Sequence, residues 1–257
     1  MNEEAHKELK KLFNGRFSTS QSTRANYARG EDTFDPVLSK GVAFPETNEE
    51  VSKILKICNE YGIPVVPFGT GTSLEGNVVG NDQGITISLE KMNKILSVNV
   101  EDFDCRVQAC VTKEQLNDYL REDPGANAAI GGMASTSASG TMAVKYGTMK
   151  TVISGLTVVL PNGNIINTGS RTKKTSAGYN LTNLFIGSEG TLGIITEIQL
   201  RLSPIPESIM SAVCHFQTLE DAVHTAQQII QYGVPIARIE MLNKDQMDIS
   251  INYSKLK

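Results

Sequence analysis

The spacing of apolar and polar residues predicts a chain that alternates helices and strands, and its clearest helix covers residues 48–61. Thr47 and Glu50 form a capping box at the start of this helix, and Gly62 ends it. Four apolar residues recur on one face at helical spacing: Val51, Ile54, Leu55 and Cys58. A shorter helix is predicted over 5–13, and 16–35 are predicted to form an irregular arm.

Short runs rich in β-branched residues predict the strands, which are 63–68, 85–89, 105–111, 156–160, 165–168 and 194–202. The last run alternates cleanly, with apolar residues and Thr196 on one side and Glu197, Gln199 and Arg201 on the other. Pro161-Asn162-Gly163-Asn164 predicts a hairpin between two of the runs. Thr112 and Gln115 cap a further predicted helix over 113–121.

Pro204 and Pro206 interrupt the pattern, and we place a domain boundary near Glu207. Beyond it the pattern predicts a strand over 210–216, a helix over 219–232, a strand over 237–242 and a helix from Lys244. The predicted organisation is therefore an N-terminal helix and arm over 1–35, a main domain over 36–206 and the beginning of a further domain over 207–257.

Composition narrows the functional class. The chain has 257 residues, 40% of them hydrophobic and 20% charged, which is typical of a soluble globular protein, and the net charge of −4 argues against a nucleic-acid partner. The charged start predicts no signal peptide, and no apolar run has the length of a membrane span. The four cysteines and three histidines show no metal-binding spacing, so we predict free thiols, no metal and a cytoplasmic location.

Three glycine-rich segments carry the candidate chemistry: 67–76 (PFGTGTSLEG), 131–140 (GGMASTSASG) and 187–193 (GSEGTLG). Glycine lets successive backbone N–H groups turn toward an anion without a Cβ in the way. Each segment alone also fits a plain tight turn. Together they indicate one long, phosphate-bearing cofactor.

The first segment does not fit the two common nucleotide motifs. It has the glycine spacing of a phosphate-binding P-loop, but Asn77-Val78 stands where Lys and Ser or Thr are required. A Rossmann turn must open a helix, whereas 77–84 contains Gly80, Asn81 and Gly84 and is a poor helix former.

Taken together, these motifs resemble the FAD-linked oxidase family, which has the vanillyl-alcohol-oxidase (PCMH) type of FAD-binding domain, and within it the branch of D-lactate dehydrogenases (cytochrome) and glycolate oxidase flavin subunits. The segments that carry the resemblance are 67–76, 123–126, 130–140, 144–149, 174–181 and 185–196. The resemblance implies an α+β fold: a PCMH-type FAD-binding domain of two subdomains, followed by the start of a ferredoxin-like α/β cap domain.

The resemblance also implies FAD contacts. The first loop would hold the pyrophosphate, through Gly69, Thr70, Gly71, Thr72, Ser73 and Leu74. The ribityl chain and ring would be met by Gly131, Gly132, Thr136, Ser139, Gly140, Tyr146 and Gly147, and Pro124 is also predicted to contact the cofactor. The adenosine part would be met by Glu189, Gly190, Gly193, Ile194 and Ile195. Three residues also have a structural interpretation. Tyr146 could be a core aromatic and Glu189 a residue that stabilises the turn. Lys174, whose segment lies near the cofactor in this family, could be a solvated charge.

The resemblance to this branch implies that the chain is the FAD-binding N-terminal portion of an FAD-dependent dehydrogenase. Such an enzyme oxidises a 2-hydroxy acid of the D-lactate or glycolate type to the 2-oxo acid by hydride transfer to flavin, with a cytochrome, a quinone or an electron-transfer protein as the expected electron acceptor. Relatives place the catalytic base and metal ligands in stretches that this sequence does not contain, so no catalytic residue is assigned. A non-catalytic or vestigial flavin-binding module from a disrupted gene is the second hypothesis. A nucleotide-sugar reductase of the same fold is disfavoured, because 123–125 and 174–181 match the hydroxy-acid branch.

Overall fold

The computed structural model describes residues 2–120, 128–172 and 174–255, and this part of the chain contains helices and sheets in an α+β arrangement, as predicted. The helices in chain order are α1 (Glu3–Phe13), α2 (Gln21–Asn26), α3 (Asn48–Glu60), α4 (Lys113–Leu120), α5 (Ile130–Ser135), α6 (Ala143–Tyr146), α7 (Met149–Val152), α8 (Leu181–Phe185), α9 (Leu219–Gln231) and α10 (Lys244–Ser254). The strands are β1 (Phe17–Ser18), β2 (Val42–Ala43), β3 (Val65–Phe68), β4 (Ile85–Ser88), β5 (Ile95–Asn99), β6 (Asp104–Gln108), β7 (Ile153–Val159), β8 (Ile165–Gly169) and β9 (Ile194–Arg201).

The chain divides into two compact units. The first comprises residues 1–138 and 149–204 and contains both sheets. The second comprises residues 139–148 and 205–257 and contains α6, α9 and α10.

One sheet of the first unit is mostly parallel, with the strand order β1-β2-β4-β3. Both β2 and β3 run parallel to β4, and Phe68 pairs with Ser88 at the carboxyl ends of β3 and β4. Apolar side chains of α1 and α3, including Leu9 and Ile54, join those of β4 in one core. Thr47 caps α3 as predicted, since its Oγ1 accepts the N–H of Glu50 at 3.2 Å. The Glu50 carboxylate accepts the N–H of Glu46 at 2.7 Å instead of that of Thr47, so only half of the predicted capping box is present in the described residues.

The other sheet is antiparallel, with the order β5-β6-β9-β7-β8. Strand β7 is buried along its whole length, and the predicted hairpin joins it to β8. The turn docks on α3, because Ser52 Oγ donates to the carbonyl of Gly163 at 2.5 Å. In β9 the predicted alternation is present, with Ile198 and Leu200 buried and Gln199 and Arg201 partly exposed.

The structure corrects two predictions in the first unit and adds a strand that was not predicted. Residues 16–35 are not wholly irregular, because they contain β1 and α2. Gly131-Gly132 does not form a turn but lies in α5, where Gly131 fits against Ala109. Strand β5 was not predicted, since none of its residues is fully buried and its apolar spacing is irregular.

In the second unit the two predicted helices are confirmed as α9 and α10, but the two predicted strands are wrong. Segments 210–216 and 237–242 are irregular, and side chains such as Met210 and Val213 are exposed. A strand needs a neighbour to pair its N–H and C=O groups, and the described residues of this unit supply none. Among the described residues, no helix combines the length and apolar character needed to cross a bilayer.

Candidate functional site

A cavity of about 260 Å³ opens in the first unit where the ends of several strands meet. Because β3 and β4 are parallel, the residues that follow them, Gly69 and Leu89, lie at the same edge of the sheet. Ala109 follows β6, and Ile194 begins β9. The cavity is therefore built by segments that are far apart in sequence.

The structure brings most of the predicted cofactor residues together around this cavity. The predicted residues that line it are Gly69, Thr70, Gly71, Thr72, Ser73, Gly131, Gly132, Thr136, Glu189, Gly190, Gly193, Ile194 and Ile195. Further lining residues, which the sequence analysis did not single out, are Pro67, Phe68, Asn77, Val78, Leu89, Ala109, Ala128, Ala129, Met133, Ser135 and Ala138.

The loop after β3, residues 69–74, is here called the first loop, and it presents unused amides. None of its backbone N–H groups donates to an acceptor in the described part of the chain. Gly71 has φ +76°, and a Cβ there would stand 2.7 Å from the ring of Phe68. Glycine is thus required at Gly71, and the amides around it are available to an anion.

Helix α5 forms a wall of the cavity, and its two glycines have different roles. Gly131 donates its N–H to the carbonyl of Ala109 at 2.7 Å, and a Cβ on Gly131 would stand 2.6 Å from the Cβ of Ala109. A Cβ on Gly132 would meet no atom of the described residues within 4 Å, although Gly132 lines the cavity. Gly131 therefore allows close packing, whereas Gly132 leaves space open.

The segment before β9, residues 187–193, is here called the third loop, and it is bonded to the end of α5. The N–H groups of Gly187 and Glu189 donate to the carbonyls of Ala134 and Ser135 at 3.1 and 3.0 Å. Glu189 has φ +51°, which is unusual for a residue with a side chain. These bonds hold the third loop at the cavity wall.

A side-chain bridge joins the first and third loops. Asn77 Nδ2 donates to Glu189 Oε2 at 2.5 Å, and the hydroxyl of Ser73 donates to Asn77 Oδ1. Among the described residues that line the cavity, Glu189 has the only ionisable side chain. The lining is otherwise made of backbone amides, hydroxyls, amide side chains and apolar groups.

An aromatic contact lies at the end of β3, where the first loop begins. The ring of Phe68, which lines the cavity, lies 5.0 Å from that of Tyr27 in an edge-to-face contact. Burial and the hydrogen bond to Glu90 raise the pKa of Tyr27 to about 12, so its hydroxyl stays protonated. Burial, with a smaller effect of Glu90, also raises the pKa of the neighbouring Cys110 thiol to about 11.

The other predicted residues that the structure describes are not among those lining the cavity. The side chain of Leu74 is 67% exposed. Ser139, Gly140, Tyr146 and Gly147 belong to the second unit, where the Gly147 N–H closes α6 on the carbonyl of Ala143. The segment 123–126, with Pro124, lies outside the described residues.

The missed lining residues had weak sequence signals. Leu89 and Ala109 look like ordinary strand ends, and Met133 and Ala138 lie inside a segment singled out for its glycines and hydroxyls. Asn77 attracted notice only as a departure from a P-loop. Its partner Glu189 lies 112 residues away, so their contact appears only after folding.

The residues present fit a dinucleotide that carries a flat ring. The amides of 69–74, which have no acceptor among the described residues, suit a diphosphate, and the open space at Gly132 admits a flat group. Val78, Leu89 and Ile194 supply apolar surface that keeps water away from such a group.

Comparison with models of known protein families identifies the family of this chain. Residues 39–169 match the model described as "FAD binding domain", and residues 205–257 match "FAD linked oxidases, C-terminal domain". The chain belongs to the FAD-linked oxidase family, and the predicted cofactor, FAD, is confirmed for its binding domain.

Curated relatives agree with this family. The chain is 49% identical over 245 residues to a probable mitochondrial D-lactate dehydrogenase of Danio rerio, covering 91% of this chain and 48% of the relative. It is 42% identical to the mitochondrial D-lactate dehydrogenase [cytochrome] of Arabidopsis thaliana, covering 93% and 44%. It is 33% identical to glycolate oxidase subunit GlcD of Bacillus subtilis, covering 93% and 53%. The chain thus spans about half the length of these relatives.

Solved structures show the same fold. An alkyldihydroxyacetonephosphate synthase superimposes with a TM-score of 0.77 at 23% identity, covering 91% of this chain and 46% of that one. A p-cresol methylhydroxylase with substrate bound gives 0.73 at 23% identity, covering 88% and 48%. The predicted PCMH-type fold is therefore confirmed.

The predicted cytoplasmic location is wrong. The names of the Danio rerio and Arabidopsis thaliana relatives place both proteins in mitochondria, and these relatives point away from the cytoplasm. Free thiols and a charged N-terminus, on which the prediction depended, are compatible with more than one compartment.

Proposed function

We propose that this chain binds FAD in the cavity of the first unit and forms the flavin-binding half of a D-2-hydroxy-acid dehydrogenase. The observation that carries this proposal is the row of first-loop amides that have no acceptor in the described part of the chain, beside the open space at Gly132. The amides bind the diphosphate through their partial positive charges, and the cavity admits the ring.

The residue assignments follow the cavity. Gly69 to Ser73 hold the diphosphate, and Leu74 contributes its backbone N–H rather than its side chain. Gly131, Gly132 and Thr136 lie beside the ring and ribityl chain, and Glu189, Gly190, Gly193, Ile194 and Ile195 form the adenosine side. Ser139, Gly140, Tyr146, Gly147 and Pro124 remain predicted contacts.

D-lactate is the first substrate to test, and glycolate the second, since relatives at 49% and 42% identity are named D-lactate dehydrogenases and one at 33% is named a glycolate oxidase subunit. Bound FAD supplies a hydride acceptor for the substrate α-carbon. The chain's own residues bind the dinucleotide, orient the ring and exclude water. A cytochrome, a quinone or an electron-transfer protein then takes up the electrons.

The make-up of the cavity favours one other function, which is flavin binding without turnover. Its lining offers amides, hydroxyls and apolar groups, and its one ionisable side chain among the described residues, Glu189, already accepts a hydrogen bond from Asn77. Such a lining suits binding, whereas oxidation of a hydroxy acid also needs a base for the hydroxyl proton.

A single set of measurements separates the two. The purified chain is titrated with FAD, its visible spectrum is recorded, and D-lactate, glycolate or D-2-hydroxyglutarate is added with a dye acceptor. We expect a yellow protein, and bleaching by D-lactate would support the dehydrogenase. A yellow protein that no acid reduces would support the binding module, and a chain that leaves FAD free would overturn both.

A further inference from the structure

A short N-terminal segment, residues 28–34, lies against the first loop and is here called the arm segment. The N–H of Glu31 donates to the carbonyl of Gly71 at 2.9 Å. The carbonyl of Ala28 accepts the N–H of Gly80 at 3.0 Å. The arm segment is therefore bonded both to the first loop and to the chain that follows it.

Gly30 lets this contact come close. A Cβ on Gly30 would stand 2.7 Å from the carbonyl oxygen of Gly71, 2.8 Å from that of Ser73 and 2.9 Å from Val78 Cγ2. Two of these neighbours are backbone atoms, which a side chain cannot push aside without moving the loop. Two carbonyls of the first loop thus lie directly against Gly30.

This placement fixes where two amides point. In a trans peptide unit the C=O and the following N–H point in opposite directions. Because the carbonyls of Gly71 and Ser73 are directed at the arm segment, the N–H groups of Thr72 and Leu74 are directed away from it. Residues 69–73 of the first loop line the cavity, and the described residues of the arm segment do not.

Asp32 holds the arm segment in shape. Its side chain is buried, and its two carboxylate oxygens accept the N–H groups of Gly30 and Phe34, each at 3.0 Å. The ring of Phe34 lies against Gly76, where a Cβ would approach to 2.7 Å. One buried carboxylate therefore orders the stretch that contains both Gly30 and Glu31.

We propose that Gly30 and Asp32 are positioning residues of the diphosphate site, which orient the amides of Thr72 and Leu74 before any ligand arrives. This proposal rests on the proposed function, since it takes the diphosphate of FAD as the ligand of these amides. A donor that is already oriented before binding avoids the entropic cost of being ordered when the ligand arrives, so the ligand binds more tightly.

The test uses the full chain and two probes that share a diphosphate, FAD and ADP. Gly30→Ala and Asp32→Ala are compared with Gly41→Ala. The new Cβ at Gly41 would stand 2.6 Å from the ring of Phe17, so it crowds the protein at a place other than the first loop. We expect Gly30→Ala and Asp32→Ala to raise the dissociation constants for FAD and ADP at least about tenfold. A change of this size corresponds to the loss of roughly one or two well-placed hydrogen bonds. Gly41→Ala should bind both probes like the wild type.

Two further readouts separate positioning from general destabilisation. Asp32→Asn keeps one acceptor oxygen and should restore part of the affinity lost in Asp32→Ala. Hydrogen exchange of the ligand-free chain should show a protected Glu31 amide in the wild type and faster exchange there in Gly30→Ala and Asp32→Ala. Urea unfolding identifies a variant that fails to fold. If Gly30→Ala or Asp32→Ala fails, the binding data of the one that folds test the positioning role.

The outcomes are distinct. Folded variants that bind FAD and ADP as the wild type does would overturn the positioning role and leave the proposed function intact. A wild-type chain that binds neither probe would overturn the proposed function, and the positioning role would fall with it. An unprotected Glu31 amide in the wild type would overturn the positioning role alone.

Discussion

Asn77 and Glu189 connect the first and third loops through a hydrogen bond of 2.5 Å between Asn77 Nδ2 and Glu189 Oε2. Ser73 extends the connection by donating its hydroxyl to Asn77 Oδ1. A hydrogen bond to a carboxylate is charge-assisted and stronger than one between neutral groups. The spacing of the two loops that line the cavity is thus set by side chains as well as by backbone.

Asn77→Asp should weaken FAD binding. The substitution keeps the shape of the side chain but replaces the donor with a second carboxylate beside Glu189, and the like charges repel. Because both groups are partly exposed, we expect a rise of about fivefold in the dissociation constant for FAD, corresponding to about 1 kcal/mol. Flavin fluorescence quenching measures it.

The same experiment in a Glu189→Gln background provides the control. With no charge at position 189 the repulsion is removed, so Asn77→Asp should then cost little. High salt should also reduce the effect in the original background. An equal loss in both backgrounds would show that Asn77 and Glu189 do not act through each other.

Asp104→Asn should destabilise the antiparallel sheet at neutral pH. Asp104 is buried on β6 and accepts hydrogen bonds from Asn99 Nδ2 at 2.7 Å, Arg171 Nε at 2.9 Å and Gln199 Nε2 at 3.1 Å. We expect the free energy of unfolding in urea to fall by about 1–3 kcal/mol. Asp102→Asn, at a carboxylate that is 65% exposed, should change it by less than about 0.5 kcal/mol.

The pH dependence of this difference has a definite sign. Burial raises the pKa of Asp104, but the hydrogen bonds from Asn99, Arg171 and Gln199 outweigh it and hold the pKa below its ordinary value. The stabilisation is therefore complete above the unfolded-state pKa of about 3.9 and is lost as the pH falls through the lower, folded-state value. A gap between wild type and Asp104→Asn that widens below pH 4 would contradict this.

One thiol should react much faster than the other three. Cys214 is exposed, whereas Cys58, Cys105 and Cys110 are buried. Burial raises the pKa of the Cys58 thiol to about 12 and, with smaller effects of neighbouring carboxylates, those of Cys105 and Cys110 to about 11. A disulfide reagent at pH 7 should label one thiol in the folded chain and four in denaturant. Cys214→Ser is the control and should abolish the fast phase.

Local sequence signals predicted the parts of the fold that local interactions decide. The N-cap of α3 at Thr47 and the Pro161–Asn164 turn each depend on a few neighbouring residues, and both are present. Segments 210–216 and 237–242 have strand-like composition, but a strand depends on a partner that the described residues do not supply. The motif glycines likewise located most of the cavity lining.

Long-range contacts account for what the sequence left out. The arm segment showed no periodicity, because its order comes from Asp32 and from carbonyls of the first loop some forty residues later. Gly131 and Gly132 look equivalent in sequence. They differ in the structure because Ala109, the residue after β6, packs against Gly131 but not against Gly132. Their difference can be tested directly.

Gly132→Ala should stabilise the protein and weaken flavin binding at the same time. Alanine is favoured over glycine in a helix by roughly 0.5–1 kcal/mol, and the new methyl group meets no atom of the residues that the structure describes within 4 Å. That methyl group projects into space that FAD is proposed to occupy, so FAD affinity should fall.

Gly131→Ala is the matched control one residue away in the same helix. Its methyl group would stand 2.6 Å from the Cβ and 2.8 Å from the carbonyl oxygen of Ala109, and crowding of this kind costs about 1–3 kcal/mol. Urea unfolding of the FAD-free chain and FAD titration separate the two effects. If Gly132→Ala bound FAD as tightly as the wild type, the open space beside α5 would not hold the cofactor, because the same methyl group that leaves the empty protein undisturbed must collide with anything that fills the cavity there.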